Sequence, residues 1–307
     1  MNPETILTVE ELQAICKKHG ISYVSHKRIT YGFSHEVHRL NDDLVIKLFN
    51  TENPKRFDTE VLMLESDMPF LKPKLVASGD AELMGRRYII MSFIPGSSLG
   101  SVWHKATDLQ REVLISNIAN ILKVINKTDP TSLPGYTNVT WQEKLTSRGH
   151  RLVQKLLAKN IIGASKAERI DKVIDEKGQS LTGSELCAVY WDVHLDNFIV
   201  NDKLELQAII DLENVELTAL DYPLFAIEKM MHEPHKYLAE EDEKYADVKD
   251  YAKLKTWYRK YYPEMFDFKD QKTRVELYQL LDALHLAVDW SHVPELSEQI
   301  NTLTEGQ

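Results

Sequence analysis

Tyr190-Trp191-Asp192-Val193-His194-Leu195-Asp196-Asn197-Phe198-Ile199-Val200, with Ile209-Ile210-Asp211-Leu212-Glu213 a short way downstream, is the stretch on which the reading of this chain turns. Residues 186–191 and 204–210 have the apolar, β-branched character of strands, and 198–200 form a third short piece between them. One apolar strand delivers Asp192 into a polar loop. Asn197 follows five positions later, and Asp211 emerges at the end of the next strand, 14 positions after Asn197. Asp and Asn populate turns for conformational reasons alone, so the five-residue spacing says little by itself. A third oxygen donor at the end of a second apolar strand says more.

Phosphoryl transfer needs such a set: one carboxylate to orient an attacking hydroxyl and take its proton, and two hard oxygen ligands to hold Mg²⁺ against nucleotide phosphates. The Asp-x-x-x-x-Asn spacing is that of a kinase catalytic loop, and the downstream Asp has the place of the kinase magnesium ligand. Such chemistry also requires a strand lysine near the phosphates and an acid to hold it. Lys47 lies in Leu44-Val45-Ile46-Lys47-Leu48-Phe49, amid apolar strand residues, and Glu60 lies 13 residues on, within a helix expected over 55–66. A lysine is seldom buried unpaired, although one on the solvent face of an edge strand would need no partner. Upstream, Tyr31-Gly32-Phe33-Ser34-His35 offers a turn whose backbone N–H groups could cover phosphates, with Gly32 and Ser34 as its candidates. Downstream, the apolar strand ending in Met91-Ser92-Phe93-Ile94 runs into Pro95-Gly96, where an adenine could bond to backbone between two sectors.

The rest of the chain fits a two-part organisation. Residues 1–93 open with a helix capped by Thr8 and Glu11 and closed by Gly20, then read as short strands at 21–24, 36–40, 44–49, 74–78 and 87–93, with Asn41-Asp42-Asp43 as a hairpin turn. Residues 94–307 are mostly helical. Thr107 and Gln110 start one helix, 141–159 form another, and Ser165 with Glu168 begins a third. Further helices are expected at 224–231, 248–260 and 274–290. A chain of 307 residues suffices for two modest domains. Forty-seven acids against 37 bases give a net charge of −10, which speaks against a sequence-independent grip on nucleic acid. Two cysteines 171 positions apart make neither a disulfide framework nor a CxxC metal site. No signal peptide or membrane-spanning run is visible, so a cytoplasmic protein without a membrane partner is expected.

In this combination of motifs the chain resembles the aminoglycoside phosphotransferase and choline-kinase-like family, small-molecule kinases of the protein-kinase-like fold. The likeness runs from Arg28 to about Trp290. It implies an α+β, two-lobe fold, with an antiparallel-sheet N-lobe (1–93) for the nucleotide and a mainly helical C-lobe (94–307) for the catalytic loop and acceptor. It implies ATP or GTP as phosphoryl donor, Mg²⁺, and a small-molecule hydroxyl as acceptor. Asp192 would be the base, Asn197 and Asp211 the metal ligands, Lys47 the phosphate lysine and Glu60 its partner. Met91, Ser92, Phe93 and Ile94 would form the adenine-facing hinge. The family's His-Gly before the catalytic Asp is replaced here by Tyr190-Trp191, and the usual aromatic after the magnesium Asp by Leu212-Glu213, which adds an acid near the metal.

Other readings use the same residues differently. Asp192-x-His194-x-Asp196 alternates like a ligand strand, as in a metal-dependent hydrolase, since His suits zinc. A nucleotide-binding pseudokinase would keep the fold without the transfer. For the acceptor, Asp196, Glu213, Asp289 and the acidic run near 233–243 would suit a polycation such as an aminoglycoside. Trp191, Tyr222, Trp257 and Trp290 could instead cage a quaternary ammonium such as choline. Ethanolamine, sugars and amino-alcohols complete the set of acceptors.

Overall fold

The helix that Thr8 and Glu11 announce is present: α1 (Val9–Lys18) opens on a reciprocal capping box, and its Leu12, Ile15 and Cys16 are buried. The structure, a computed structural model, describes residues 7–29, 35–49, 54–80 and 86–305. Five antiparallel strands follow α1: β1 (His26–Ile29), β2 (Glu36–Leu40), β3 (Leu44–Leu48), β4 (Leu75–Gly79) and β5 (Tyr88–Ser92), in spatial order β1-β2-β3-β5-β4. Strand side chains alternate between faces, and the alternation sorts this sheet. Ile46, Leu48, Tyr88 and Ile90 pack with α1 on one face. Phe49, Ile89 and Met91 belong to the other, larger core together with Phe57 of α2 (Pro54–Glu65). Lys47, one residue from Ile46 and from Leu48, is therefore turned toward α2 and the second lobe.

The strand expected at 21–24 is not formed. The side chain of Asn41 accepts from the N–H groups of Val24 and Ser25 at 2.8 and 3.2 Å and donates to the Ser22 carbonyl at 2.8 Å. That segment is thus bonded to an amide side chain rather than to a ladder, and the sheet begins at His26.

After Ile94 and Pro95, Gly96 adopts φ 140°, and a Cβ there would lie 2.5 Å from the Val200 carbonyl oxygen. Only glycine passes so close over the second lobe. That lobe contains β6 (Ser97–Ser98), α3 (Leu99–Val102), α4 (Asp108–Ile125), α5 (Trp141–Ala158) and α6 (Ala164–Gly178). Next come β7 (Cys187–Tyr190), β8 (Phe198–Val200), β9 (Leu206–Ile209) and β10 (Val215–Thr218). It closes with α7 (Leu224–His232), α8 (Val248–Tyr251), α9 (Leu254–Tyr261), α10 (Gln271–Asp289) and α11 (Pro294–Glu305). The sheet element read from the sequence is two small sheets, β7–β10 and β6–β8–β9. The single helix expected at 248–260 is split, because the Trp103 indole donates to the Asp250 carbonyl at 3.0 Å. The third helix starts at Ala164 behind Gly163 rather than on a Ser165 cap, and α11 was not anticipated. No described helix is long and apolar enough to cross a membrane.

Polar ties help to hold the helical lobe. Asp221, fully buried, receives both Nε and Nη2 of Arg274 at 2.6 and 2.7 Å, and the Tyr278 hydroxyl at 3.0 Å. This fixes α10 to the segment joining β10 and α7. Between α5 and α6, His150 places Nδ1 2.6 Å from Asp171 and Nε2 3.0 Å from Asp175. Burial opposes its charge, but the two carboxylates outweigh burial and raise its pKa above the ordinary histidine value. A raised pKa stabilises the fold fully below the unfolded value, and that stabilisation is lost as pH rises through the folded value. His150→Gln should therefore lower the urea midpoint more at pH 6 than at pH 9; an equal loss at both would exclude the charged bridge.

Candidate active site

Lys47 is the meeting point. Its ammonium lies 2.6 Å from Glu60 Oε2 on α2, 2.5 Å from Asp211 Oδ1 and 2.8 Å from Glu213 Oε2. Burial alone would lower the pKa of Lys47, but Asp211, Glu60 and Glu213 more than reverse it, so the ammonium stays charged. Burial pushes Glu60 up to about 7, against the pull of Lys47. Burial would also raise Glu213, yet Lys47 and His35 together bring it down to about 2. Glu213 gathers three partners: besides Lys47, His35 Nε2 lies 2.7 Å from Oε2 and Arg56 Nη1 3.2 Å from Oε1. Asp211, just past β9, sits in the left-handed region at φ 60°. Asp tolerates that conformation better than most residues, and it turns the chain at once into Glu213.

Asp192 follows β7 and is held on one side. Asn214 donates to its Oδ2 at 2.9 Å, with the Asn197 amide at 3.4 Å, while His194 Nε2 stands 3.1 Å from Oδ1. Asn197 is itself fixed by donating to the Asp192 carbonyl at 3.0 Å. The Ile210 N–H donates to the Asn197 carbonyl at 2.8 Å, which joins the loop of Asn197 to the strand end that carries Asp211. Burial raises the pKa of Asp192, with Asp211 adding to it and His194 opposing. The structure thus brings Lys47, Glu60, Asp192, Asn197 and Asp211 into one region where the two lobes face each other.

On the hinge, Met91 is buried, and Ser92, Phe93 and Ile94 are half-buried. The Ser92 N–H donates to the Lys74 carbonyl and the Phe93 N–H to the Asp43 carbonyl, at 2.9 and 2.7 Å. Gly32 and Ser34 lie outside the described residues. The three acids considered for the acceptor are all engaged. Asp196 accepts from Ser98 Oγ at 2.7 Å, Glu213 is buried against Lys47 and Arg56, and Asp289 lies 3.6 Å from Lys159 at the end of α10. Asp196 points to the start of α3 while His194 points to Asp192, so the Asp192-x-His194-x-Asp196 alternation does not converge on one ion. Nor do the four aromatics form a cage: Trp257 packs on Trp103, Trp290 is exposed, and only Trp191 and Tyr222 meet.

Sequence reasoning missed His35, Arg56, Asn214 and Tyr237. The Tyr237 ring stands edge-on to His194 at 4.6 Å, and burial together with Asp282, Glu233 and Asp192 raises its pKa. Arg56 alone carried a readable signal, its position one helical turn before Glu60.

Removing one partner from a buried charge cluster leaves the others uncompensated. Lys47→Met should therefore cost about 3–5 kcal/mol at pH 8. Without the lysine, Glu60 is held still higher, so the variant binds more protons folded than unfolded and recovers stability as pH falls. Urea midpoints at pH 8 and pH 6 test this; a variant as stable as the parent at both refutes the arrangement.

Residues 25–226 match the phosphotransferase enzyme family. No curated protein matches the sequence. Among solved structures, ADP-bound aminoglycoside phosphotransferase APH(2'')-Ib matches with a TM-score of 0.70 and 17% identity over 98% of both chains. The streptomycin–ATP complex of APH(2'')-IIa matches at 0.68 and 15%, over 99% of this chain and 98% of that one. The GDP complex of aminoglycoside 2'-phosphotransferase-IIIa gives 0.66 and 14%, over 97% and 98%. Identities this low speak for the fold alone, which is the two-lobe, kinase-like one. The family match is broader evidence, since it spans well over half the sequence and includes every one of Lys47, Glu60, Asp192, Asn197 and Asp211: the chain belongs to the phosphotransferase enzyme family and is an enzyme that transfers phosphoryl groups.

Proposed function

We propose that this phosphotransferase is a small-molecule kinase, moving the γ-phosphoryl group of ATP or GTP to a hydroxyl of its acceptor with Mg²⁺. The observation that carries the reading is the tie between the lobes: a buried strand lysine bonded both to its helix glutamate and to the strand-end Asp211, beside an Asp192 held by two asparagines. The division of labour, residues 1–93 for the nucleotide and 94–307 for the catalytic loop and acceptor, is part of the proposal.

The donors fit magnesium. Glu60, Asp211 and Glu213 present oxygens within 4.8 Å of one another, Asn197 adds an amide oxygen, and a hard ion of this kind prefers oxygen ligands. Asn197 and Asp211 would hold the ion, which when bound neutralises the terminal phosphates. Lys47 would contact the α- and β-phosphates, with Glu60 fixing its direction. An adenine or guanine edge would use the Ser92 carbonyl and the Ile94 N–H, because the Ser92 and Phe93 amides already bond within the sheet.

Asp192 would act as base through Oδ1, the oxygen beside His194, since Asn214 and Asn197 occupy Oδ2. The acceptor hydroxyl gives its proton to that oxygen as its own oxygen bonds to the γ-phosphorus, and the nucleoside diphosphate leaves. The acceptor would rest against His194 and Tyr237. Acids near Tyr237 carry their own cations: Asp282 is paired with Lys229, and Glu233 with Lys236 at the 234–237 turn. That pairing favours a hydroxyl compound of low charge, such as a sugar or an amino-alcohol, over a polycationic aminoglycoside.

Mg²⁺ with ATP or GTP should raise the melting temperature, by about 2.7 kcal/mol of stability at 100 times Kd, whereas a zinc chelator should leave it unchanged. Asp192→Asn should keep that rise and lose about 10²–10⁴-fold in turnover of nucleotide against a panel of hydroxylated amines and sugars. Full turnover by Asp192→Asn would refute the base.

A further inference from the structure

We infer that Arg56 is a further catalytic residue, its guanidinium contacting the γ-phosphoryl group during transfer and neutralising charge on the equatorial oxygens. The inference rests on the kinase reading above. Arg56 and Glu60 are four residues apart on α2 and so share one helix face. Glu60 touches Lys47 from that face, which directs Arg56 toward the cleft as well. Nη1 of Arg56 lies 3.2 Å from Glu213 Oε1, and the other oxygen of the same carboxylate is 2.8 Å from Lys47 Nζ. A single carboxylate therefore separates the guanidinium from the lysine assigned to the α- and β-phosphates. Glu213 is two residues past Asp211, and the next residue, Asn214, donates to Asp192 Oδ2 at 2.9 Å. The guanidinium is thus paired with the short segment that carries both the metal-side acid and a residue holding the base, which places it within reach of a phosphoryl group passing between them.

Its present bonding leaves it available. The contact to Glu213 is longer than the 2.7–2.9 Å typical of charge-assisted pairs, Nε is buried without a hydrogen-bond partner, and the side chain is 31% exposed. A guanidinium offers five donors in a planar fork that matches phosphate oxygens. In the transfer, the bond from the γ-phosphorus to the nucleoside diphosphate breaks as the acceptor-oxygen bond forms, and the hydroxyl proton goes to Asp192. Arg56 supplies N–H donors and is itself unchanged. A guanidinium placed in this way is worth about 10³–10⁵-fold in other phosphoryl-transfer enzymes.

The probes are MgADP and MgGDP, each alone and with aluminium fluoride, which mimics the phosphoryl group in flight, titrated calorimetrically into the full chain. The parent should bind the fluoride complex far more tightly than the diphosphate alone. Arg56→Ala and Arg56→Lys should retain affinity for the diphosphate and lose most of that gain, about 10³-fold. Added guanidine should restore part of the slow nucleotide hydrolysis of Arg56→Ala. The inference is overturned if Arg56→Ala keeps the fluoride-dependent gain. It is also overturned if diphosphate affinity and melting temperature fall together to the levels of Glu213→Gln, since Arg56 would then be only a strut. A parent chain that binds neither diphosphate would instead overturn the nucleotide reading itself.

Discussion

The buried ammonium of Lys47 ties the two lobes together. Lys47 comes from the central strand of the N-terminal sheet, Glu60 from the helix beside it, and Asp211 and Glu213 from the far side of the cleft. Burying such a group is costly unless good geometry and several partners repay it, and the conformation here provides three. The requirement propagates outward. The pleat of β3 must send residue 47 away from α1, α2 must turn residue 60 toward the strand, and the chain past β9 must bend sharply enough to present 211 and 213 together. The left-handed backbone at Asp211 costs about 1–2 kcal/mol, and the bend it makes brings two of the three carboxylates to the same ammonium.

How far the sequence was legible follows from the same physics. The parts of the site that lie within one strand-loop-strand unit were readable, because apolar runs mark the strands and the polar residues between them can only be in the loop. Lys47 and Glu60 were readable from a lysine in an apolar strand followed by a helix. What depends on contacts between distant segments was not. Arg56 needs the orientation of α2 against the second lobe, Asn214 the pairing of β7 with β10, and Tyr237 the path of the turn after α7. Charge alone did not reveal the partners of Asp196, Glu213 and Asp289, since it does not say which serine, lysine or arginine stands opposite each acid.

Local pattern failed in the fold for a related reason. Residues 21–24 have strand propensity, but the side chain of Asn41 already takes the Val24 N–H and the Ser22 carbonyl that a ladder would use. The break between α8 and α9 arises where the Trp103 indole takes a carbonyl that a continuous helix would have used. In both places a polar side chain from elsewhere outcompetes the regular hydrogen bond, and neither side chain is near in sequence to the element it alters.

The pair Tyr190-Trp191, which stands where the family has His-Gly, shows how the loop tolerates bulk. Tyr190 is buried on β7, paired in register with Val215. The Trp191 ring stacks on Phe225 of α7 at 6.4 Å and meets Tyr222 edge-on at 6.1 Å. The bulk therefore goes into the helical core behind the loop. It anchors the residue directly preceding Asp192 to the start of α7, a segment that Asp221 and Arg274 tie in turn to α10. A glycine at 191 would give that loop freedom; a tryptophan removes it and leaves the direction of Asp192 to be set by packing on one side and by Asn214 on the other. The departure from the family pattern is in this sense a second solution to the same constraint, which is to hold one carboxylate still at the mouth of a cleft.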